Sequence, residues 1–277
     1  VSVLNNYGGF YSREVYINEA RKAGAVICLP CVNNSIFEAT IQGSEIYLGF
    51  DGILNLDVKL AQAIPEERKR NGNYLNLENF NQRTNAGLEQ IIILIRCGAF
   101  RFLQTGKKEL LWEAHLLLNK NRVHHTPSAQ LFYSNTQKPE LPVFVTDNLE
   151  NLYDEIELMG FPVSGSVFHL ARSDYRGNAN ASDLASFKGQ SVRVVAYMVA
   201  SKTVRTKNGM YMKFGTFIDV NGDFIDTVHF PQSLQQYPLR SKGLYLIEGK
   251  AVLDYNCPAI EVYRCAMMPL KPDPRSV

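Results

Sequence analysis

Long apolar runs and a secretion signal are both missing from this 277-residue sequence. The apolar run at residues 91–95 is far shorter than the roughly 20 residues that cross a bilayer, so we expect no membrane partner. No charged segment followed by an apolar one opens the chain, and nothing indicates secretion. The five cysteines are odd in number and irregularly spaced, which is typical of reduced thiols in a cytoplasmic protein.

An excess of charge and a recognisable catalytic pattern are also lacking. The net charge is only +2, but residues 188–277 hold 12 Lys and Arg against 7 Asp and Glu, and such a basic stretch is where a polyanion would bind. We find no glycine-rich phosphate loop, no Ser-His-Asp set and no convincing pair of metal-binding carboxylates. Cys28 and Cys31 form a single C-x-x-C without a second pair, so we predict neither a metal site nor a catalytic centre.

Residues 46–120 carry the periodicity of α-helices. Apolar side chains recur at i, i+3, i+4 and i+7 within residues 88–95 and again within 110–118. A further helix is predicted over residues 58–64, where Pro65 should end or kink it. The pattern predicts two helical hairpins in tandem, and the residues before them are predicted to form a helix and a short strand.

Residues 121–187 lose this periodicity and are interpreted as a linker with a short helix near its end. Residues 188–270 have β character, and the Asn-Gly pairs at 208–209 and 221–222 supply the positive φ of tight hairpin turns. The predicted strands are 190–205, 210–219, 223–230, 243–253 and 258–267. Three strands, a short helical connection and two strands are typical of an OB barrel. The predicted fold class is therefore multidomain α+β, with a mainly helical domain followed by a five-stranded OB-fold β-barrel.

The turns of the helical hairpins are the first candidate site. A glycine turn between helix ends leaves backbone N–H groups exposed, and these bind a DNA phosphate without reading sequence. The candidate residues near the turns are Gly52, Lys59, Gly98, Arg101 and Lys107. The alternative is an ordinary helical hairpin with solvated basic residues, which the spacing alone favours.

The first hairpin of the predicted barrel is the second candidate site. Basic residues attract a nucleic-acid backbone and aromatic faces stack on bases, a combination that suits single strands. The candidate residues are Lys202, Arg205, Lys207, Tyr211, Lys213, Phe214 and Phe217. Strand alternation puts Tyr211 and Phe217 on one face and Phe214 on the other. One of these two faces should belong to the core, and alternation does not decide which.

A third candidate is a short apolar tip in the linker, at residues 127–132. Such a tip could dock into a groove on another protein and become ordered on binding. Alternatively, Leu131 and Phe132 pack back onto the helical domain, and the residues alone favour this second interpretation.

Several segments follow one another in an informative order. They are Gly8-Gly9-Phe10-Tyr11 with Val15-Tyr16-Ile17-Asn18-Glu19-Ala20-Arg21, Leu29-Pro30-Cys31-Val32-Asn33-Asn34-Ser35, Gly49-Phe50-Asp51-Gly52-Ile53, Leu94-Ile95-Arg96-Cys97-Gly98-Ala99-Phe100 with Leu110-Leu111-Trp112, and Met159-Gly160-Phe161-Pro162-Val163-Ser164-Gly165. Together they resemble the C-terminal half of the bacterial DNA polymerase III alpha subunit, the C-family replicative polymerase. The resemblance implies the end of the fingers region at 1–45, tandem helix-hairpin-helix motifs at 46–120, a linker at 121–187 and an OB domain at 188–270.

The resemblance implies a DNA-binding piece of a DNA-directed DNA polymerase, a nucleotidyltransferase of DNA replication. The helix-hairpin-helix pair would grip template-primer duplex, and the OB domain would lie near the single-stranded template. The linker falls where the family carries its sliding-clamp-binding peptide, which makes Gln130, Leu131 and Phe132 candidate clamp contacts, with Ser128 where the family usually has Gln. Other replisome subunits are further expected partners. The alternative is a protein-interaction scaffold of the replisome with no direct DNA contact.

The resemblance also implies what this chain lacks. The family's palm carboxylates, which bind two Mg²⁺ ions, would lie before Val1, where the sequence starts in mid-pattern. We therefore expect a piece of a longer protein, inactive by itself and needing no cofactor, whereas its parent would use Mg²⁺. The sequence departs from the family where Asn55 and Asp57 replace the glycine-rich end of the first hairpin turn, and where Ser166 replaces a usual His.

Overall fold

The computed structural model describes residues 1–6, 9–123, 147–254 and 257–276. Its helices are α1 Ser2–Asn5, α2 Arg13–Lys22, α3 Val58–Asn71, α4 Leu77–Thr84, α5 Leu88–Arg96, α6 Lys107–Val123, α7 Asn148–Met159 and α8 Pro231–Gln236. Its strands are β1 Val26–Cys28, β2 Thr40–Gln42, β3 Glu45–Tyr47, β4 Ser191–Arg205, β5 Tyr211–Ile218, β6 Phe224–His229, β7 Leu244–Asp254 and β8 Cys257–Met267.

These elements form two compact units. Residues 1–5 and 25–164 form a helical unit, and residues 6–24 and 165–276 form a barrel unit. The predicted fold class, a helical region followed by a five-stranded OB-type barrel, is confirmed. Helix α2 lies in the barrel unit, although many residues separate it from the barrel strands in sequence. The boundaries of the four predicted domains stay predictions.

The helical unit is built around apolar helix faces, although the buried face of α5 includes Leu94 and leaves Ile92 of the predicted face half-buried. Ile91, Leu94 and Ile95 of α5 pack with Leu110 and Ala114 of α6 in one buried cluster. Aromatic rings extend this cluster, since the rings of Phe80 and Phe100 meet edge to face at 5.0 Å. A small sheet of order β1-β3-β2 accompanies the helices. Burial of one face of each helix is what holds such short helices together.

Helix α3 runs through Pro65 as far as Asn71, so of the two effects predicted for Pro65, an end or a kink, the end does not occur. Proline removes a backbone donor, which normally destabilises a helix interior. Contacts outside the helix anchor its second half: Arg68 Nη1 donates to the carbonyls of Val32 at 2.6 Å and Ser35 at 2.9 Å. Tertiary contacts of this kind offset a local helix-breaking preference.

The two hairpin turns of the helical unit contain residues with left-handed backbone. Asn55, in the turn before α3, has φ of 63°, and asparagine is among the few residues other than glycine that adopt this region readily. Gly98, after α5, has φ of 79°. The first turn therefore contains a left-handed residue at Asn55, a position where the sequence resemblance implies glycine.

The barrel unit contains a closed barrel of strand order β4-β5-β6-β8-β7. Neighbouring strands are antiparallel except β6 and β8, which pair in parallel. The two Asn-Gly pairs lie in the β4–β5 and β5–β6 turns, and both Gly209 and Gly222 have positive φ, as predicted. Buried side chains of alternating strand positions fill the interior, among them Phe217, Ile225 and Ile260.

Within the described parts of the chain, no helix combines the length and the apolar character that a bilayer crossing requires.

Candidate nucleic-acid interface

The β4–β5 hairpin, residues 202–213, forms a basic arm on the barrel. Lys202, Arg205 and Lys207 are exposed, and Arg205 Nε donates to the Gly209 carbonyl at 3.1 Å. None of these three side chains forms an ion pair with a carboxylate within the described ranges. Their positive charges are therefore available to an external anion.

Two of the three predicted aromatic rings lie where a base could reach them. Tyr211 and Phe214 are 63% and 44% exposed, and Phe214 pairs with Lys202 across the β4–β5 ladder. Phe217 is completely buried, and its ring packs edge to face against Tyr245 at 5.9 Å. Its place in the core removes Phe217 from the predicted DNA-facing set, because a base cannot stack on a ring that has no exposed face.

Lys213 makes a structural contact within the barrel unit. Its side chain is half-buried and its Nζ donates to the Leu239 carbonyl at 2.6 Å. It raises the positive potential near His229, an interior residue of β6. Lys213 is thus less accessible than the three cations of the basic arm.

The predicted phosphate-binding residues of the helical hairpins lie in different environments. Gly98 occupies the left-handed turn after α5, and Arg101 Nη1 donates to the carbonyls of Pro30 at 2.8 Å and Gly98 at 3.3 Å. Gly52 is half-buried in a 3₁₀ turn, and Lys59 is exposed in the first turn of α3. Of the predicted cations of these hairpins, Lys59 is the one whose ammonium group is exposed to solvent without an internal partner in the described ranges.

The N-terminus of α3 is capped by its own carboxylate. Asp57 accepts a hydrogen bond from the Leu60 backbone N–H at 2.9 Å. The Asp57 backbone N–H itself donates to Gln90 Oε1 at 2.6 Å. A carboxylate at a helix N-terminus is stabilising there, but it also occupies backbone donors that would otherwise be open to a phosphate.

Lys107 lies in an ionic cluster that the sequence interpretation missed. Its Nζ is 3.2 Å from Asp154 Oδ2 and donates to the Arg96 carbonyl at 2.5 Å. Arg96 pairs with Asp154 at 2.8 Å and with Glu157 at 2.6 Å. Lys108 pairs with Glu150 at 2.7 Å. The basic C-terminus of α5 and the basic N-terminus of α6 therefore bind the carboxylates of α7 through ion pairs.

A signal for this cluster was present in the sequence. Glu150, Asp154 and Glu157 are spaced i, i+4 and i+7, which puts all three carboxylates on one face of a helix. The spacing does not show that this face of α7 contacts the helical hairpin formed by α5 and α6.

The predicted clamp contacts Gln130, Leu131 and Phe132 lie outside the described residues. In the parts of the chain that the structure does describe, no group of three or more His, Cys, Asp or Glu side chains is placed to hold a metal ion. Cys28 and Cys31 are free thiols there, and burial raises the pKa of Cys28.

The architecture of the two units is typical of proteins that bind nucleic acids. Tandem helical hairpins accompany an OB-type barrel, and OB barrels commonly bind oligonucleotides. Residues 24–110 match the family model described as a helix-hairpin-helix motif, and this match covers α3, α4, α5 and the start of α6.

Comparison with curated proteins is more specific. The chain is similar to the DNA polymerase III subunit alpha of Borreliella burgdorferi, with 28% identity over 255 residues, which cover 86% of this chain and 22% of that protein. The Treponema pallidum subunit is 29% identical over 236 residues, covering 78% and 20%. The error-prone DNA polymerase of Mycobacterium tuberculosis is 32% identical over 108 residues, covering 38% and 10%.

Over most of its length the chain is similar to part of the bacterial DNA polymerase III alpha subunit, and over a shorter stretch it is similar to part of the error-prone DNA polymerase of Mycobacterium tuberculosis. It spans about a fifth of the length of the alpha subunits that it matches over most of its own residues.

Proposed function

We propose that this chain is a DNA-holding segment of a DNA-directed DNA polymerase and carries no catalytic centre of its own. The barrel would contact single-stranded template through the basic arm, and the helical unit would face the template-primer duplex. Support comes from the polymerase relatives, from the helix-hairpin-helix match and from the barrel architecture. The polymerase activity of the parent, with Mg²⁺ as its cofactor, belongs to the proposal.

The single observation that carries the proposal is the composition of the basic arm. Lys202, Arg205 and Lys207 are exposed without a carboxylate partner in the described ranges, and the rings of Tyr211 and Phe214 are accessible beside them. Cations release counterions from a nucleic-acid backbone, while exposed rings stack on unpaired bases. An arm of this composition suits a single strand better than a protein surface.

The duplex contact proposed for the helical unit does not depend on Arg101 or Lys107. Both cations already have partners inside the unit. The contact would instead use the exposed Lys59, a cation that binds phosphate without sequence preference.

Charge reversal in the basic arm tests the proposal. The double variant Lys202→Glu/Lys207→Glu is expected to weaken binding of a fluorescent single-stranded oligonucleotide at least about tenfold at low salt. Loss of two phosphate contacts should also reduce the slope of log affinity against log salt by about 1.4, at about 0.7 per contact on single strands. Fluorescence anisotropy at several salt concentrations measures both quantities.

The matched control is Lys188→Glu/Lys250→Glu, which changes the net charge of the same barrel by the same amount. These lysines lie at the other end of β4, where Lys250 is next to Ser191 in the ladder. Equal weakening by the two double variants would show a non-specific effect of net charge and would contradict an arm-centred site.

Contact with the sliding clamp is a separate part of the proposal. It is supported by the sequence resemblance around Gln130, Leu131 and Phe132 alone. Leu131→Ala/Phe132→Ala is expected to abolish co-elution of the chain with a bacterial sliding clamp, because the apolar anchor is lost, without changing oligonucleotide binding. Co-elution that survives this double variant would remove the clamp contact from the proposal.

A replisome scaffold without direct DNA contact is the second candidate function. The observation in its favour is that the basic ends of α5 and α6 pair internally with α7. The arm experiment separates the two candidates, since a scaffold would show no oligonucleotide affinity for the charge reversal to remove.

A further inference from the structure

Three aromatic rings form a connected, solvent-facing cluster at the far end of the barrel from the basic arm. The rings of Phe10 and Tyr11 meet edge to face at 5.5 Å, and Tyr11 lies 5.7 Å from Phe224. Phe10 is 91% exposed and Phe224 is 39% exposed. We call these three residues the aromatic platform. Exposed rings that touch one another form a contiguous apolar surface, and contiguous apolar patches mark interaction sites more often than isolated exposed side chains do.

Contacts between α2 and the β5–β6 turn join this helix to the barrel. Asn18 Nδ2 donates to the Gly222 carbonyl at 2.9 Å, and Lys22 pairs with Asp223 at 2.7 Å. Gly222 has φ of 81°, and a Cβ there would lie 2.6 Å from Asn18 Oδ1. The positive φ favours glycine here, and a Cβ would displace the Asn18 side chain from its present contact. These contacts hold α2, the helix that follows Phe10 and Tyr11, against the barrel.

The register of β5 and β6 puts the platform on the same face of the sheet as Phe214. Phe214 pairs with Val228, Thr216 with Asp226 and Ile218 with Phe224, so these side chains share one face. The opposite face of the same strands carries Phe217 and Ile225, which fill the core. Phe214 and Phe224 are therefore outward-facing rings near opposite ends of one two-stranded surface.

The distance along this surface suits a short stretch of single-stranded nucleic acid. Strand β5 has 8 residues, which at about 3.4 Å per residue gives a length of about 27 Å. The basic arm continues from one end of β5 and the aromatic platform lies beside the other. OB barrels bind at least about 4 nucleotides each, which is compatible with a path of this length.

Two lysines in or beside α2 are already paired with carboxylates, and the exposed Asp226 carboxylate lies on the outer face between Phe214 and Phe224. Lys22 faces Asp223, and Lys242 lies 2.6 Å from Glu14. The buried Asp219 carboxylate accepts hydrogen bonds from the backbone N–H groups of Ala181, Asn221 and Asp223. Because these side chains offer no excess of positive charge, the platform has apolar ring faces for a ligand but little attraction for phosphate.

We infer that Phe10, Tyr11 and Phe224 form a base-stacking site for an unpaired strand that runs along the outer face of β5 and β6 from the basic arm. The inference rests on the proposed function and extends it by a second, uncharged contact. The basic arm supplies salt-sensitive attraction to the backbone, and the aromatic platform supplies salt-insensitive contact with bases. Stacking on rings tolerates any base, so the site has no sequence preference.

The test uses Phe10→Ala, since a side chain that is 91% exposed contributes little to the fold. Its control is Tyr263→Ala, which removes an exposed ring from β8 elsewhere on the same barrel. Affinity is measured for a twelve-residue oligothymidylate and for an abasic strand of the same length. Phe10→Ala should weaken oligothymidylate binding about tenfold, within the range of one stacked base, by the same factor at low and moderate salt. Binding of the abasic strand should not change.

A second measurement does not depend on a variant. A single strand carrying 5-iodouracil, irradiated in complex with the whole chain, should cross-link to Phe10, Tyr11 or Phe224. If Phe10→Ala behaves like Tyr263→Ala and no cross-link maps to these residues, the platform is not a stacking site. The proposed function still stands in that case if the charge reversal at Lys202 and Lys207 weakens binding. A chain that binds no oligonucleotide at all would overturn both.

Discussion

Replacing Asp154 by asparagine is expected to lower the free energy of unfolding of the helical unit by about 3 kcal/mol, in the range measured when one partner of a buried ion pair is removed. The Asp154 side chain is only 6% exposed and faces both Arg96 and Lys107. Without the negative charge of Asp154, the partly buried cations Arg96 and Lys107 are only partly neutralised. Arg96 retains Glu157, and Lys107 retains the Arg96 carbonyl, which limits the loss.

The measurement is urea unfolding followed by the fluorescence of Trp112. The sequence has one tryptophan, and it lies in α6 of the helical unit, so its signal reports on this unit. Glu157→Gln is the matched control, since it removes a carboxylate from the same helix and from the same arginine. The Glu157 side chain is 51% exposed, and an exposed pair contributes at most about 1 kcal/mol. Equal losses for the two variants would show that burial of Asp154 has no energetic consequence.

The barrel unit is expected to lose about 3 kcal/mol of stability as the pH falls from about 6.5 to about 4, because one pKa unit corresponds to about 1.4 kcal/mol. His229 is completely buried in β6, with Nε2 3.0 Å from Thr227 Oγ1. Burial, assisted by the positive charge of Lys213, lowers the pKa of His229 to about 4. The unfolded chain accepts the proton first, so acid favours unfolding throughout this window, and the contribution of His229 is fully present only above it.

Urea titrations at several pH values, followed by the NMR signals of β5 and β6, measure this effect. His229→Gln should remove most of the pH dependence in this window. Lys213→Met should raise the pKa of His229 and reduce the total loss. A barrel whose stability falls equally steeply with and without His229 would show that other groups carry the acid sensitivity.

Local sequence patterns predicted most of the fold because the relevant forces act over a few residues. The spacing of apolar residues in α5 correctly predicted a helix with one buried face, although Leu94 belongs to that face and Ile92 is only half-buried. The Asn-Gly pairs at 208–209 and 221–222 fixed both tight turns of the barrel, since few other residues adopt positive φ. Pro65 shows the limit of this reasoning. Its local preference against a helix interior is overcome by contacts of Arg68 with distant carbonyls.

The candidate site was predicted less completely because it depends on which side chains meet in three dimensions. Alternation along β5 separated Phe214 from Phe217 without showing which one is buried. Lys107 looked like a solvated cation until its place beside Asp154 of α7 was known. The aromatic platform was missed because Phe10 and Phe224 are far apart in sequence and meet only through Tyr11.

The sequence by itself determined the two kinds of unit in this protein, its strand turns and the basic character of its last third. These features depend on periodicity, turn chemistry and composition, which are local properties of the chain. Only the tertiary structure decided which charges and rings remain free for a ligand. A side chain's availability depends on distant neighbours that pair with it or cover it, as α7 does for Lys107 and the barrel core does for Phe217.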